Sequence, residues 1–168
     1  MPVVRIILAC SGVDVNNARD DDGSTALYIA CLKGCTEIVK VLLACDSIDV
    51  NMATTNRTTV AMADSSGEQH HFSSGTTPLA CACLQGFAEI VKLLLVHGGI
   101  SANKTDDYGT SPLHLACRGG YLPIVQLLVA CGARVRMPAA QHCTADVLAW
   151  LQATAGWSPL KVAAACRL

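Results

Sequence analysis

The 168-residue sequence predicts an all-α solenoid of stacked antiparallel helix pairs joined by β-turn loops, and three observations carry that expectation. The first is self-similarity. Ile38-Val39-Lys40-Val41-Leu42-Leu43, Ile90-Val91-Lys92-Leu93-Leu94-Leu95 and Ile124-Val125-Gln126-Leu127-Leu128-Val129 superpose, and Val3-Val4-Arg5-Ile6-Ile7-Leu8 is a fourth copy. The copies recur about 34 residues apart, except for one interval of about 52. The second is a glycine-led block that precedes three of the copies: GSTALYIACLKG from Gly23, GTTPLACACLQG from Gly75 and GTSPLHLACRGG from Gly109. It returns alone as GWSPLKVAAACR from Gly156. The third is composition. The chain is 52% hydrophobic but only 4% aromatic, so its core is built from Ala, Val, Ile, Leu and Cys, which suits closely packed helices.

Each element follows from local chemistry. Thr25, Thr77, Ser111 and Ser158 stand where a hydroxyl caps a first helix, and Pro78, Pro112 and Pro159 fall at the first helical position, where a missing N–H costs nothing. These signals predict first helices near residues 27–33, 79–85 and 113–119. Gly34, Gly86 and Gly120 supply the permissive backbone that ends them. Second helices follow near 37–45, 89–97 and 123–131, opened by Glu37, Glu89 or Pro123. The apolar face of such a pair is buried only by its neighbours.

The block Gly109-Thr110-Ser111-Pro112-Leu113-His114-Leu115-Ala116 resembles the ankyrin repeat, whose signature is Gly-x-Thr-Pro-Leu-His-x-Ala. The Ile/Val-Val-x-x-Leu-Leu block follows at the family's distance, and the resemblance covers about three quarters of the chain. Ala26 and Tyr28 replace Pro and His in the first full copy, Ala80 replaces His in the second and Lys161 in the last. The resemblance divides the chain into a partial repeat at 1–19, repeats at 20–52, 73–105 and 106–136, and a partial repeat at 156–168. Residues 53–72, rich in Thr and Ser without helical or strand periodicity, form an inserted loop on the turn side. Residues 137–155 are a second insertion, where TADVLAWLQA from Thr144 reads either as a short amphipathic helix or as a decayed repeat. The chain thus opens inside a second helix and closes inside a first, which predicts a piece of a longer protein.

Several function classes are excluded at this level. A net charge of -1 argues against nucleic acid as a partner. Apolar runs of about ten residues are too short for membrane insertion, and the first of them lacks the basic region of a signal peptide. Phosphate-loop, dinucleotide, nucleophile-elbow and zinc-helix motifs are missing, so no catalytic residue, metal or cofactor is expected. Of the ten cysteines, Cys31, Cys83 and Cys117 occupy one repeat position, which fits small buried hydrophobes, and Cys10, Cys45 and Cys131 occupy another. Free thiols place the chain inside the cell, in the cytoplasm.

The resemblance implies a non-catalytic scaffold that binds a protein partner through the concave face formed by turn tips and first helices. The family's contact positions fall on Asp21, Asp22, Ser24, Leu32 and Lys33 in the first full repeat, and on Ser73, Ser74, Thr76, Leu84 and Gln85 in the second. In the third they are Asp107, Tyr108, Thr110, Arg118 and Gly119, and Trp157 follows in the last. Tyr108, Arg118 and Trp157 are the residue types that dominate binding hot spots. Asn16, Asn51 and Asn103 match positions that are hydroxylated in some relatives. Two other readings stand beside the scaffold. One is a thiol or metal sensor using Cys35, Cys81, Cys143 or His70-His71; the other is a regulatory segment of a larger enzyme.

Overall fold

Hydroxyl caps and glycines fix where the helices begin and end. The computed structural model describes residues 12–55, 62–63, 69–70, 74–135 and 143–166. Among them are eight helices: α1 (Ala26–Leu32), α2 (Thr36–Leu43), α3 (Pro78–Gln85), α4 (Ala88–His97), α5 (Pro112–Arg118), α6 (Leu122–Ala130), α7 (Ala145–Ala153) and α8 (Pro159–Cys166). Thr25 Oγ1 accepts from the Tyr28 N–H, Thr77 Oγ1 from Ala80 and Ser111 Oγ from His114, each at 3.2 Å. The first helices thus start at the capping hydroxyls that predict them, and observed ends agree with expectation to within two residues. The Val3–Leu8 copy lies outside the described residues.

Packing sorts the helices into two layers. Helices α1, α3 and α5 stack side by side, and α2, α4 and α6 form the second layer behind them. Leu27, Cys31, Leu79, Ala82, Cys83 and Ala116 are fully buried in the first layer. Small side chains at 31, 82, 83 and 116 let neighbouring helices approach closely. Val39, Leu42, Ile90, Val91, Leu94, Ile124, Val125 and Leu128 fill the second layer. Burying one such leucine contributes about 1.5–3 kcal/mol.

Neighbouring pairs are also joined at the inter-helix turns. Gly86 closes α3 at φ 78°, and a Cβ there would come 2.6 Å from the Tyr121 ring. Phe87 sits the same way over Gly34, at 2.8 Å. Glycine is therefore required twice over, for its backbone and for the aromatic ring of the next pair.

Between the helix pairs the chain runs out into β-turn fingers, and asparagines pin each finger base to the loop ahead. Asn16 donates to Ser47 O and accepts from the Asp49 N–H, both at 2.7 Å. Asn51 repeats this with Gly99 O and Ser101 N at 2.7 and 2.8 Å, and Asn103 with Gly132 O and Arg134 N at 3.3 and 2.8 Å. The finger tips are linked in turn, Thr55 N–H to Asp22 O at 3.0 Å and Asp107 N–H to Ser74 O at 3.1 Å.

The insertion leaves the tip of the second finger between Thr55 and Ser74. Its base is closed by Thr54 N–H to Thr76 O, Gly75 N–H to Thr54 O and Ser74 Oγ to Thr55 O, at 3.1, 2.7 and 2.9 Å. Within the inserted segment β1 (Met62–Ala63) pairs antiparallel with β2 (Gln69–His70), in the register Met62 to His70 and Ala63 to Gln69. Two-residue strands are too short to leave an alternating pattern in the sequence.

The last helix pair departs from the division that begins a new first helix at Gly156. Helix α8 packs along α6, a second-layer helix, rather than continuing the α1–α3–α5 layer. Helix α7 begins beside the turn between α5 and α6, where a Cβ on Gly120 would come 2.6 Å from Thr144 Cγ2. It ends with Thr154–Trp157 facing Val129, Gly132 and Ala133, at the finger end of α6. The pair therefore runs opposite to the three before it, as an inverted hairpin. Ser158 still caps α8, its Oγ accepting from the Lys161 N–H at 3.3 Å, so the local signal is right and only the layer differs.

Candidate partner-binding surface

The structure divides the sequence-derived contact positions on finger tips and first helices into two groups. Asp21, Lys33, Asp107, Tyr108 and Arg118 are exposed, and Ser74, Gln85 and Thr110 are half-buried. Asp22, Ser24, Thr76, Leu32 and Leu84 are buried, the two leucines to 4% and 6% exposure within the hydrophobic core. Leu32, Leu84 and Arg118 are equivalent in sequence, so the same position turns from core to surface along the stack. Ser73 lies outside the described residues.

Asp22 and Asp106 shape the fingers. Asp22 Oδ1 accepts from the Ser24 N–H at 2.8 Å, while Asp106 Oδ1 accepts from both Tyr108 and Thr110 N–H groups at 3.0 and 2.7 Å. The second arrangement fixes the turn that carries Tyr108, whose side chain is 64% exposed. The sequence-derived contact positions include Asp22 and leave out Asp106, whose expected place is a charged turn tip; an Asp two residues before the backbone N–H it accepts from is the available signal for a turn-former. On the first finger Arg19 donates to Asp21 at 3.0 and 2.5 Å, and that hydrogen bonding holds the carboxyl below the usual carboxylate range. The pair is solvent-exposed, so it orients the finger tip more than it stabilises the fold.

Trp157 is not part of this strip. It belongs to the inverted hairpin, where Lys161 lies 4.5 Å from its ring and the indole helps line a cavity against the third helix pair.

The cysteines sort by burial. Cys31, Cys81, Cys83 and Cys117 have almost no exposed surface. Burial pushes Cys31 and Cys117 up to about 12, the latter helped by its hydrogen-bonded neighbour Cys143, and raises Cys81 and Cys83 well above an ordinary thiol. This corrects the sensor reading at Cys81, because a thiol held protonated and without solvent access is not reactive. Cys35 and Cys143 are half-buried and Cys131 is exposed. No group of three metal-ligating side chains occurs among the described residues, and the side chains of His70 and His71 lie outside them. No helix among the described residues is long and apolar enough to cross a membrane.

A comparison with curated proteins returned no match. The family model of ankyrin repeats matches residues 1–73 and 61–139, with three copies. The match ends before α7, so the inverted hairpin lies beyond it. Repeats of this kind are generally protein–protein interaction modules and typically non-catalytic. With a matched span that covers most of the sequence and helix pairs stacked in two layers, the chain belongs to the ankyrin repeat family.

Proposed function

We propose that the chain is a non-catalytic scaffold that binds a protein partner through the strip formed by Asp21, Lys33, Gln85, Asp107, Tyr108 and Arg118. The observation that carries this reading is Tyr108: a large aromatic side chain, 64% exposed, on a finger whose backbone Asp106 already holds with two hydrogen bonds. An aromatic presented on a pre-ordered turn gains contact area with little ordering cost. Arg118 offers planar donors on the same pair, and the acidic tips beside Lys33 and Arg118 set the orientation of the partner more than its affinity. The free thiols among the described residues support a reducing compartment, the cytoplasm.

The test is a binding titration against a partner captured from lysate, with helicity checked for every variant. Tyr108→Ala and Arg118→Ala are expected to weaken binding by about 2 kcal/mol or more each. Lys92→Ala on α4, behind the strip, is expected to change it by less than about 0.5. Loss of binding in Lys92→Ala alone would move the contact to the second-helix layer.

A further inference from the structure

We propose that the wedge between the third helix pair and the inverted hairpin is a binding site for a small, uncharged, largely apolar molecule. Reversal of the last pair opens the wedge. In the regular stack each first helix lies against the next, but α7 does not continue that layer over α5. A cavity of about 540 Å³ remains, inside the roughly 300–1,000 Å³ range of small-molecule sites.

Its walls define the ligand. Leu113 and Cys117 form the floor, Val129 one side, Leu148 and Leu151 the other, and Trp157 stands at the hairpin turn. Among the described residues no charged side chain lines it, so an ionic ligand would lose its hydration without a counter-charge from them. The Thr154 hydroxyl on the wall already donates to Trp150 O at 2.8 Å, so it does not call for a polar group on the ligand. Gln152, exposed at the edge, can give or take one hydrogen bond and so select for a ligand with a single polar group. Burial keeps the Cys117 thiol protonated, so occupation is non-covalent. The indole of Trp157 provides a flat face that favours an aromatic ligand. Tyr108, Lys33 and Asp21 do not line the cavity, so this site stands or falls apart from the partner-binding strip.

The experiment titrates the 168-residue chain with Nile red, an uncharged aromatic dye, reading dye emission and tryptophan quenching. Saturable one-to-one binding is expected. Leu148→Trp and Ala155→Leu, which add bulk at two separate points of the lining, are each expected to weaken it about tenfold or more. Val13→Ser, at the other end of the stack, is expected to leave it unchanged. Circular dichroism accompanies each variant; if Leu148→Trp loses helicity, Ala155→Leu decides, its parent side chain being exposed. Absence of saturable binding overturns the proposal, as does full binding by a folded filled variant, or an equal loss in Val13→Ser.

Discussion

Helices α1 to α6 and the hairpin of α7 and α8 are made from similar residues and packed by different means. In the regular stack every interface is closed three times: by small apolar side chains between helices, by an aromatic ring over a turn glycine, and by an asparagine across the finger base. Among its described residues the hairpin has neither of the last two. Gly156 adopts φ 82° with nothing within 4 Å of where its Cβ would stand, and Leu160 on α8 is 84% exposed. Among the described residues Val147 and Val162 are its fully buried hydrophobic side chains, against sixteen in the stack. The difference teaches that repetition supplies the closure: a helix pair facing the wrong way makes the apolar contact, sets Thr144 in place of an aromatic ring over the turn glycine Gly120, and forfeits the finger contact.

Leu94→Ala is the largest blow to that contrast. Leu94 is fully buried in the second layer, and its truncation is expected to cost about 2–5 kcal/mol in urea unfolding. Leu160→Ala in the hairpin is expected to cost less than about 0.5. Equal losses would mean that α8 is as tightly held as α4.

Next comes glycine replacement. Gly156→Ala is expected to cost about 1–2 kcal/mol, from the left-handed backbone alone. Gly86→Ala adds a clash with Tyr121 and is expected to cost about 1–3 kcal/mol more. The double variant Gly86→Ala/Tyr121→Ala recovers part of that excess if the ring is its cause, which a comparison of thermal midpoints reads directly.

How much of this was legible beforehand is clearest at Ser158 and Pro159. They announce the start of a helix, and α8 starts there. Capping hydroxyls and prolines act on the adjacent turn of backbone, so they place a helix end along the chain and say nothing about its neighbour. The layer that α8 joins is a tertiary outcome, invisible to the match with Gly109-Thr110-Ser111-Pro112-Leu113. The candidate surface was legible in the same limited way. Repeat alignment located Leu32, Leu84 and Arg118 at one position, but it transfers position and not exposure, and residue polarity was the better guide: both leucines are core and the arginine is surface.

A smaller effect separates finger from helix contributions. Asn51→Ala removes two hydrogen bonds that tie its finger to the loop after α4, at 2.7 and 2.8 Å. A loss of about 1–2 kcal/mol is expected, together with faster amide exchange at Ser101. Unchanged exchange there would assign the clamp to Lys104, whose Nζ donates to Asn51 O at 3.0 Å.

The smallest expected effect is electrostatic. Arg19 lowers the ionisation midpoint of Asp21, so the pair contributes above the carboxylate's unfolded value and is lost as pH falls through the lower folded one. Arg19→Ala is expected to return the Asp21 midpoint upward in a carboxyl NMR titration while leaving helicity unchanged.

Thr55 and Ser74 stand at the two ends of the inserted segment and are already joined by a hydrogen bond of 2.9 Å. Between two such anchored points, doubling the length of the chain costs only about 0.6 kcal/mol of closure entropy. The second finger is therefore a splice point: length and composition there can drift through generations, or be exchanged for a foreign peptide, while the helices beneath keep their register.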